Sequence, residues 1–458
     1  MEEKKYLKWY NKVGYGSGDL AANCIYGLIT SFVMLFMTDY VGLNAAVVGV
    51  LIMVSKIFDG VTDVLFGNLM DKTHTKMGKA RPWMLFSEIG NVICLVAVFA
   101  IPTGWGNTAK YAYFFIAYTL LNAVFYTANN IAYASLTSLI TRNVNERVQM
   151  GSIRFMFSLV TNIVVSSITL GLVEPLGGGT TGWRNIAIIY AVISLIVNTI
   201  SVFSVKELPV EDIDEATGET KEVEEKIPFI ESLKLLLKNR YFVLIAIFYI
   251  LMYIQTGITG VASYWCIYVL KNQDALGLFT AAQMAPMVVG LAFTPFLVKK
   301  LKGMYKVNFY GYCAATVFRV LYIFAGLTLN IPFMLITAAL AGLCTSPVTG
   351  DINALISAAS EYTVRTQGKH IEGAMFSCSS FGIKLGGGLG SALSGILLDA
   401  GGYINGAANQ PQSAINMLNF MYLFFPLIAV ILTTVVMYFL KVEKANADWD
   451  KAHGKKAV

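Results

Sequence analysis

The sequence predicts an all-α membrane protein, with twelve transmembrane helices in two six-helix bundles and both termini in the cytoplasm. Three observations carry that prediction. Apolar stretches long enough to cross a hydrocarbon core, which takes about 20 residues of helix, recur along the 458 residues. Only 14% of the residues are charged while 56% are hydrophobic, and mean hydropathy is +0.61, whereas a soluble domain carries roughly 25% charged residues. A single long acidic stretch breaks the pattern near the middle of the chain.

The spans are expected near residues 13 to 37, 43 to 68, 83 to 102, 111 to 138, 150 to 173, 185 to 205, 241 to 269, 276 to 298, 307 to 328, 332 to 357, 372 to 398 and 415 to 440. Lys and Arg collect on the cytoplasmic side of membrane proteins. With the amino terminus placed inside, only Lys110, Arg184 and Lys271 fall outside, and Lys56, Arg154, Arg319 and Lys384 fall within spans. The net charge of +6 follows from this bias and from attraction to anionic lipid, so no nucleic-acid partner is implied. Lys299, Lys300, Lys302 and Lys306 read as anchors at the lipid surface.

The opening MEEKKYLKWYNK is charged in both senses and has no cleavage site behind it, so it is expected to be retained. The six cysteines stand at no metal-ligand spacing, and neither a disulfide nor a zinc site is expected. The segment KELPVEDIDEATGETKEVEEKIPFIESLK reads as a solvated connector. The expected division is an N-terminal bundle at 1–205, an acidic linker at 206–239, a C-terminal bundle at 240–441 and a cytoplasmic tail at 442–458. Two bundles joined in this way are the layout of carriers built from structural repeats, with the substrate held between the halves. A monomer in the cell inner (plasma) membrane, with the lipid bilayer as its surroundings, is the expected working form.

A charged side chain at mid-bilayer costs about 2.5 to 3.5 kcal/mol by insertion scales, so each one needs a partner, a watery cavity or a task. Asp59 and Asp63 in KIFDGVTD are one helical turn apart on one face, where two anions repel. The repulsion is relieved by a shared proton or by a hard cation between them. Thr62 and Thr127 can add neutral oxygens, so Na+ at Asp59 and Asp63 is one expectation and H+ the other. The plainer alternative is that Lys56, Asp59 and Arg154 neutralise one another as a structural network, which leaves the second acid unexplained.

Asp19 follows GYGSG, where small residues allow close approach of helices and ligand. Its carboxylate can accept from two adjacent sugar hydroxyls, with Asn23, Tyr26 and Asn130 as further polar contacts and Trp265 as a stacking face. Pairing with Arg154 for stability alone is the plainer reading, and the two can coexist. Lys384 lies in GIKLGGGLGSALSG, whose glycines suit tight helix packing. Arg319 and Asp351 can pair with each other. His74, His370 and His453 all fall in cytoplasmic segments, which does not support a histidine proton relay. No organic cofactor is implied.

Several of these stretches together resemble the glycoside-pentoside-hexuronide:cation symporter family of the major facilitator superfamily. They are GYGSGDLAAN at 14 to 23, KIFDGVTD at 56 to 63, GNLMDKTHTKMGKARPW at 67 to 83 and YTANNIAYASL at 126 to 136. Arg154 after NERVQMGSI, EYTVRTQGKHIEGAMFS at 361 to 377 and FGIKLGGGLG at 381 to 390 complete the set. The resemblance implies a major facilitator fold and symport of a sugar or glycoside with a monovalent cation. It implies a cation site at Asp59, Asp63 and Thr127 with Thr62 beside them. It ties Asp19, Arg154 and Lys384 to sugar binding or coupling, and Asn130 to sugar contact. The loop GNLMDKTHTKMGKAR resembles the superfamily's inner gate, in which Gly67 and Asp71 are one turn apart and Asp71 pairs with basic loop residues, Arg81 closing the motif.

The chain departs from melibiose-type members at Asn130, where they carry an acid, and at Thr62, where they carry an Asn. Asn at 130 resembles the glucuronide and pentoside branch. Ala358 also replaces an acid common at the end of the family's tenth helix. Rival readings are a lysolipid or amphiphile symporter on the same fold, with Lys384 meeting a phosphate, an intramembrane transferase, and a passive channel. The transferase lacks a nucleophile near a His, a metal cluster and a loop large enough for a catalytic domain. Paired acids confined to one half disfavour the channel.

Overall fold

The computed structural model describes residues 5–208, 229–368 and 372–453. Twelve helices among them are long and apolar enough to span a bilayer: Trp9–Tyr40, Ala45–Met70, Arg81–Phe99, Asn107–Ile140, Asn145–Val173, Gly179–Ser204, Arg240–Val269, Ala275–Leu301, Met304–Leu327, Ile331–Gln367, Ser379–Ala400 and Gln412–Ala452. These are called the first to twelfth spans below, and they establish a multi-pass membrane protein. Most of the expected linker, residues 209–228, and His370 lie outside the described residues.

Polar residues at the span ends fix where helices start and stop. Asn44, Asn143 and Asn330 each accept, through Oδ1, from the backbone N–H three residues on, at 3.1 Å, as N-capping requires. Gly368, at φ +65°, ends the tenth span in the left-handed conformation that glycine adopts without strain. That span runs ten residues past the boundary expected at 357. Hydropathy stops where EYTVRTQ begins, but the helix continues because Arg365 donates to both oxygens of Asp450, at 2.9 and 3.0 Å. The expected tail is likewise partly helical, as Val442–Ala452, and Asn446 Nδ2 donates to Ala358 O at 2.8 Å.

The chain forms two compact units. One comprises Met1–Thr220, Thr259–Leu278 and Ser391–Leu418, and the other Lys221–Ile258, Phe279–Gly390 and Asn419–Val458. Packing thus groups two segments of the sequence's second half with its first half. In the first unit Phe36, Phe99 and Trp183 form an aromatic core, with Trp183 stacked on Phe99 at 5.9 Å and Phe36 4.9 Å from Phe99. In the second, Phe248, Tyr312, Leu355 and Met437 are buried together. There a Cβ on Gly386 or Gly390 would stand 2.7 Å from Ile250 O or 2.3 Å from Ile254 O, so these glycines let the eleventh span lie against the seventh. Large apolar side chains such as Ile93, Ile116, Ile196 and Phe203 remain exposed, as lipid-facing surface does.

Candidate functional site

Glycines at the start of the first span decide where Asp19 goes. A Cβ at Gly16 would stand 2.5 Å from Ile153 Cγ2, and one at Gly18 2.8 Å from the Tyr133 ring. The first span can therefore approach the fourth and fifth closely, which sets Asp19 against Arg154. Arg154 Nε donates to Asp19 Oδ2 at 2.6 Å, and its Nη1 to Tyr15 Oη at 3.4 Å. The guanidinium lies 4.0 Å from the centroid of the Tyr133 ring, a distance at which cation–π attraction adds to the ion pair. Tyr133 and Tyr15 are locked in turn, each hydroxyl donating to the other's backbone carbonyl, at 2.8 and 2.7 Å. The Asp19 side chain keeps 16% of its surface accessible, and a carboxylate has about four acceptor positions, so room for further hydroxyl donors remains.

One turn along, Asn23 Nδ2 donates to Asp19 O at 2.7 Å, and Asn23 Oδ1 accepts from Asn162 Nδ2 at 2.8 Å. Tyr26 stacks on Tyr126 with centroids 5.5 Å apart, and Lys56 Nζ lies 5.8 Å from the Tyr26 ring. The Tyr126 phenol is within electrostatic reach of Asp19, Asp59 and Glu88. The two groups of acids thus share one neighbourhood.

Asp59 is 9% exposed, and Thr127 Oγ1 hydrogen-bonds its Oδ1. The fourth span widens into a π-helical turn over Leu120–Tyr126, so that the Thr127 hydroxyl also reaches Asn122 O, five residues back, at 2.9 Å. Such turns recur at functional sites because they re-aim the side chains that follow. Asp63 is half-buried one turn beyond Asp59. Thr62 Oγ1 donates to its own helix, to Asp59 O at 3.1 Å and Phe58 O at 3.2 Å. Two carboxylates with neighbouring hydroxyls form an all-oxygen donor set, which suits a hard cation or a proton.

Asn130 is exposed, directly after the buried Asn129. Lys384 is half-buried and belongs to the second unit, whereas the other candidate residues belong to the first. Trp265 is corrected: it is fully buried and offers no free face to a sugar ring. The pairing weighed for Arg319 and Asp351 is also not formed. Asp351 accepts from Asn308 at 3.0 Å through both oxygens, and Arg319 lies 5.6 Å from the Tyr322 ring.

In the loop motif, Arg81 Nε donates to Val202 O at 2.9 Å and the guanidinium lies 5.7 Å from the Phe203 ring, which ties it to the sixth span. Gly67 has open space where a Cβ would stand, and the side chain of Asp71 lies outside the described residues. Glu207 accepts from the backbone N–H groups of Lys79, Ala80 and Arg81 at 2.7, 2.9 and 3.0 Å, satisfying the free donors at the start of the third span.

Two acids escaped the sequence reading. Glu88 stands inside the third span, so the cost argument that selects Asp59 selects it as well. Asp39 looks like an ordinary charge at a span end. Its carboxylate nonetheless accepts from Tyr268 Oη at 2.5 Å, Tyr403 Oη at 2.7 Å and Thr38 Oγ1 at 2.8 Å. Two of those donors come from more than 200 residues away, and nothing local announces them.

A family model described as MFS/sugar transport protein matches residues 14–444. The chain belongs to this family. Within this sugar-transport family it is 29% identical to the isoprimeverose transporter of Lactiplantibacillus pentosus, over 99% of this chain and 93% of that protein. It is 26% identical to a putative glycoside/cation symporter, YagG, of Escherichia coli (strain K12), over 96% and 92%, and 26% identical to the same organism's glucuronide carrier protein homolog, over 89% and 86%. The expected membership among glycoside-pentoside-hexuronide:cation symporters is borne out. Among solved structures, the nucleoside transporter NupG superimposes with a TM-score of 0.65 at 15% identity, covering 94% of this chain and 99% of that one, which shows the shared fold. As a member of the sugar-transport family the chain is a transporter and not an enzyme.

Proposed function

We propose that this chain carries a sugar or glycoside across the membrane together with a monovalent cation, by alternating access. The observation that carries the reading is the juxtaposition, within one unit, of the partly accessible Asp19–Arg154 pair and the buried Asp59–Thr127 contact, joined through Tyr26 and Tyr126. Relatives named for isoprimeverose, glycoside/cation and glucuronide transport support the substrate class.

In this reading Asp19, Asn23, Tyr26, Asn130 and Arg154 hold the sugar, with Lys384 contributed by the second half. Asp59, Asp63, Thr62 and Thr127 hold Na+ or H+. Gly67, Asp71 and Arg81 work the inner gate of a monomer whose two halves are residues 1–205 and 240–441. The cation cancels the repulsion between Asp59 and Asp63 and so favours the arrangement that grips sugar. Linkage then requires sugar to raise cation affinity by the same factor. One charge moving down 100 mV supplies about 2.3 kcal/mol, or about fiftyfold accumulation.

The test is uptake of radiolabelled isoprimeverose, a glucuronide and a simple hexose into energised vesicles, at fixed pH with and without sodium. Uptake of a glycoside stimulated by sodium or by a pH gradient is expected. The absence of any cation-stimulated sugar uptake across the panel sinks the reading.

A further inference from the structure

Glu88 takes no part in the transport scheme, yet it is among the most enclosed acids in the first unit. It is 3% exposed, and none of the ion pairs among the described residues includes it. Its charge is felt by the Cys24 thiol of the first span and the Tyr126 phenol of the fourth, and neither is a cation. Its partners are neutral. Asn91 Nδ2 and Asn129 Nδ2 both donate to Oε2, at 3.0 and 3.1 Å, and Ser194 Oγ lies against Oε1.

The hydrogens around Ser194 can be counted. Its hydroxyl carries one proton and faces two acceptors, Ala21 O at 2.9 Å and Glu88 Oε1. A serine donates once. Both contacts are satisfied when Glu88 itself carries a proton on Oε1 and donates to Ser194, which passes its own to Ala21. Oε2 then behaves as a carbonyl oxygen, and its two acceptor positions are the two filled by the asparagines. A neutral acid also avoids the cost of an uncompensated buried anion. Thr127 offers Asp59 a similar contact, but Asp59 lies on the same helix as Lys56 and Asp63, so a cation or proton has reason to come and go there. Around Glu88 the donors close on both oxygens.

We propose that Glu88 is a neutral carboxylic acid with a resident proton that stays in place through the transport cycle. As such it is a positioning residue. Through Ser194 and Ala21 it ties the third span to the sixth and first, two residues beyond Asp19. Through Asn129 it ties the third span to the fourth, next to Asn130 and two residues beyond Thr127. The positioning clause rests on the sugar-binding reading above, whereas the protonation clause does not.

Glu88→Gln keeps this network, since the amide nitrogen donates to Ser194 and the amide oxygen accepts from Asn91 and Asn129. Glu88→Leu takes one hydrogen bond from each of Asn91, Asn129 and Ser194 and leaves Asn91 Nδ2 without its acceptor. Infrared spectroscopy of the purified full chain is expected to show a protonated-carboxyl band that persists at alkaline pH and is missing in Glu88→Gln. In vesicles, Glu88→Gln is expected to keep KM within about twofold and the parent's pH profile, while Glu88→Leu raises KM by about tenfold or more, the cost of unsatisfied buried groups. A Gln variant that lacks no such band relative to the parent, or whose KM rises as far as that of the Leu variant, overturns the proposal. The band is read without any substrate, so a wrong substrate class fails in the uptake assay alone, and an ionised Glu88 fails in the spectrum.

Discussion

Arg154 and Asp19 stand 2.6 Å apart, joining the fifth span to the first, with the guanidinium lying over the Tyr133 ring. Each charge covers the cost of the other in a setting where neither is well hydrated, while the carboxylate keeps accessible surface for a ligand. A structural tie and a binding group therefore coincide, and loss of either partner is expected to act on both properties.

Asp19→Asn leaves Arg154 without its counter-charge, a change that costs about 3 kcal/mol at a mostly buried pair. Sugar KM is expected to rise more than a hundredfold, and the melting temperature to fall. Substrate binding measured by calorimetry on the purified variant checks the first effect. An unchanged Kd removes Asp19 from the sugar site.

Asp59→Asn is expected to abolish concentrative uptake while leaving some sugar exchange across the membrane. Thr127→Val removes one hydroxyl from the same carboxylate and is expected to weaken cation affinity about five- to tenfold, matching the roughly 1 kcal/mol net worth of such a bond. Thr127→Ser keeps it. Cation-dependence curves for sugar uptake separate the three variants, and persistent accumulation in Asp59→Asn contradicts the cation assignment.

The half-buried Asp39 draws one of its hydrogen bonds from Tyr403, in the stretch between the eleventh and twelfth spans. Burial, with the charge of Asp39 added, holds the Tyr403 phenol above its ordinary range. The sign follows from linkage. Because the folded state keeps this proton more tightly than the unfolded one, its contribution to stability is full below about pH 10 and fades as pH rises beyond that. Tyr403→Phe removes one of the donors to Asp39, is expected to cost about 1 to 2 kcal/mol at neutral pH, and abolishes this part of the alkaline decline. Thermal unfolding in detergent across pH 7 to 11 checks it, and identical curves for parent and variant count against the contact.

Gly18 and Gly67 make a matched pair. A Cβ at Gly18 meets Tyr133 and Ser201 at 2.8 Å, so Gly18→Ala is expected to destabilise by about 1 to 3 kcal/mol through overpacking. Gly67 has nothing within 4 Å, so Gly67→Ala is expected to leave stability unchanged or raise it by up to about 1 kcal/mol. A transport defect in Gly67→Ala without loss of melting temperature places the crowding in another state of the cycle, as a gate requires. Normal uptake in that variant removes Gly67 from the gate.

Much was legible in the residues alone. The number of spans, their approximate limits and the acids at 19, 59 and 63 follow from hydropathy and from the cost of charge in lipid. Both are properties of a residue and its near neighbours, which a linear sequence displays. The same local logic underestimated the tenth span and the docked tail, because a polar helix continues wherever a partner such as Asp450 holds its side chains.

Partner choice was decided only by the tertiary structure. Arg154 reaches Asp19 across 135 positions, Tyr403 reaches Asp39 across 364, and Trp265 is sealed inside when its sequence context allows an open face. Which acid within a span meets a cation, which meets only neutral donors and which meets tyrosines depends on how closely helices can approach. That approach is set by glycines and widened turns acting between helices, and periodicity along one helix does not record what stands opposite it.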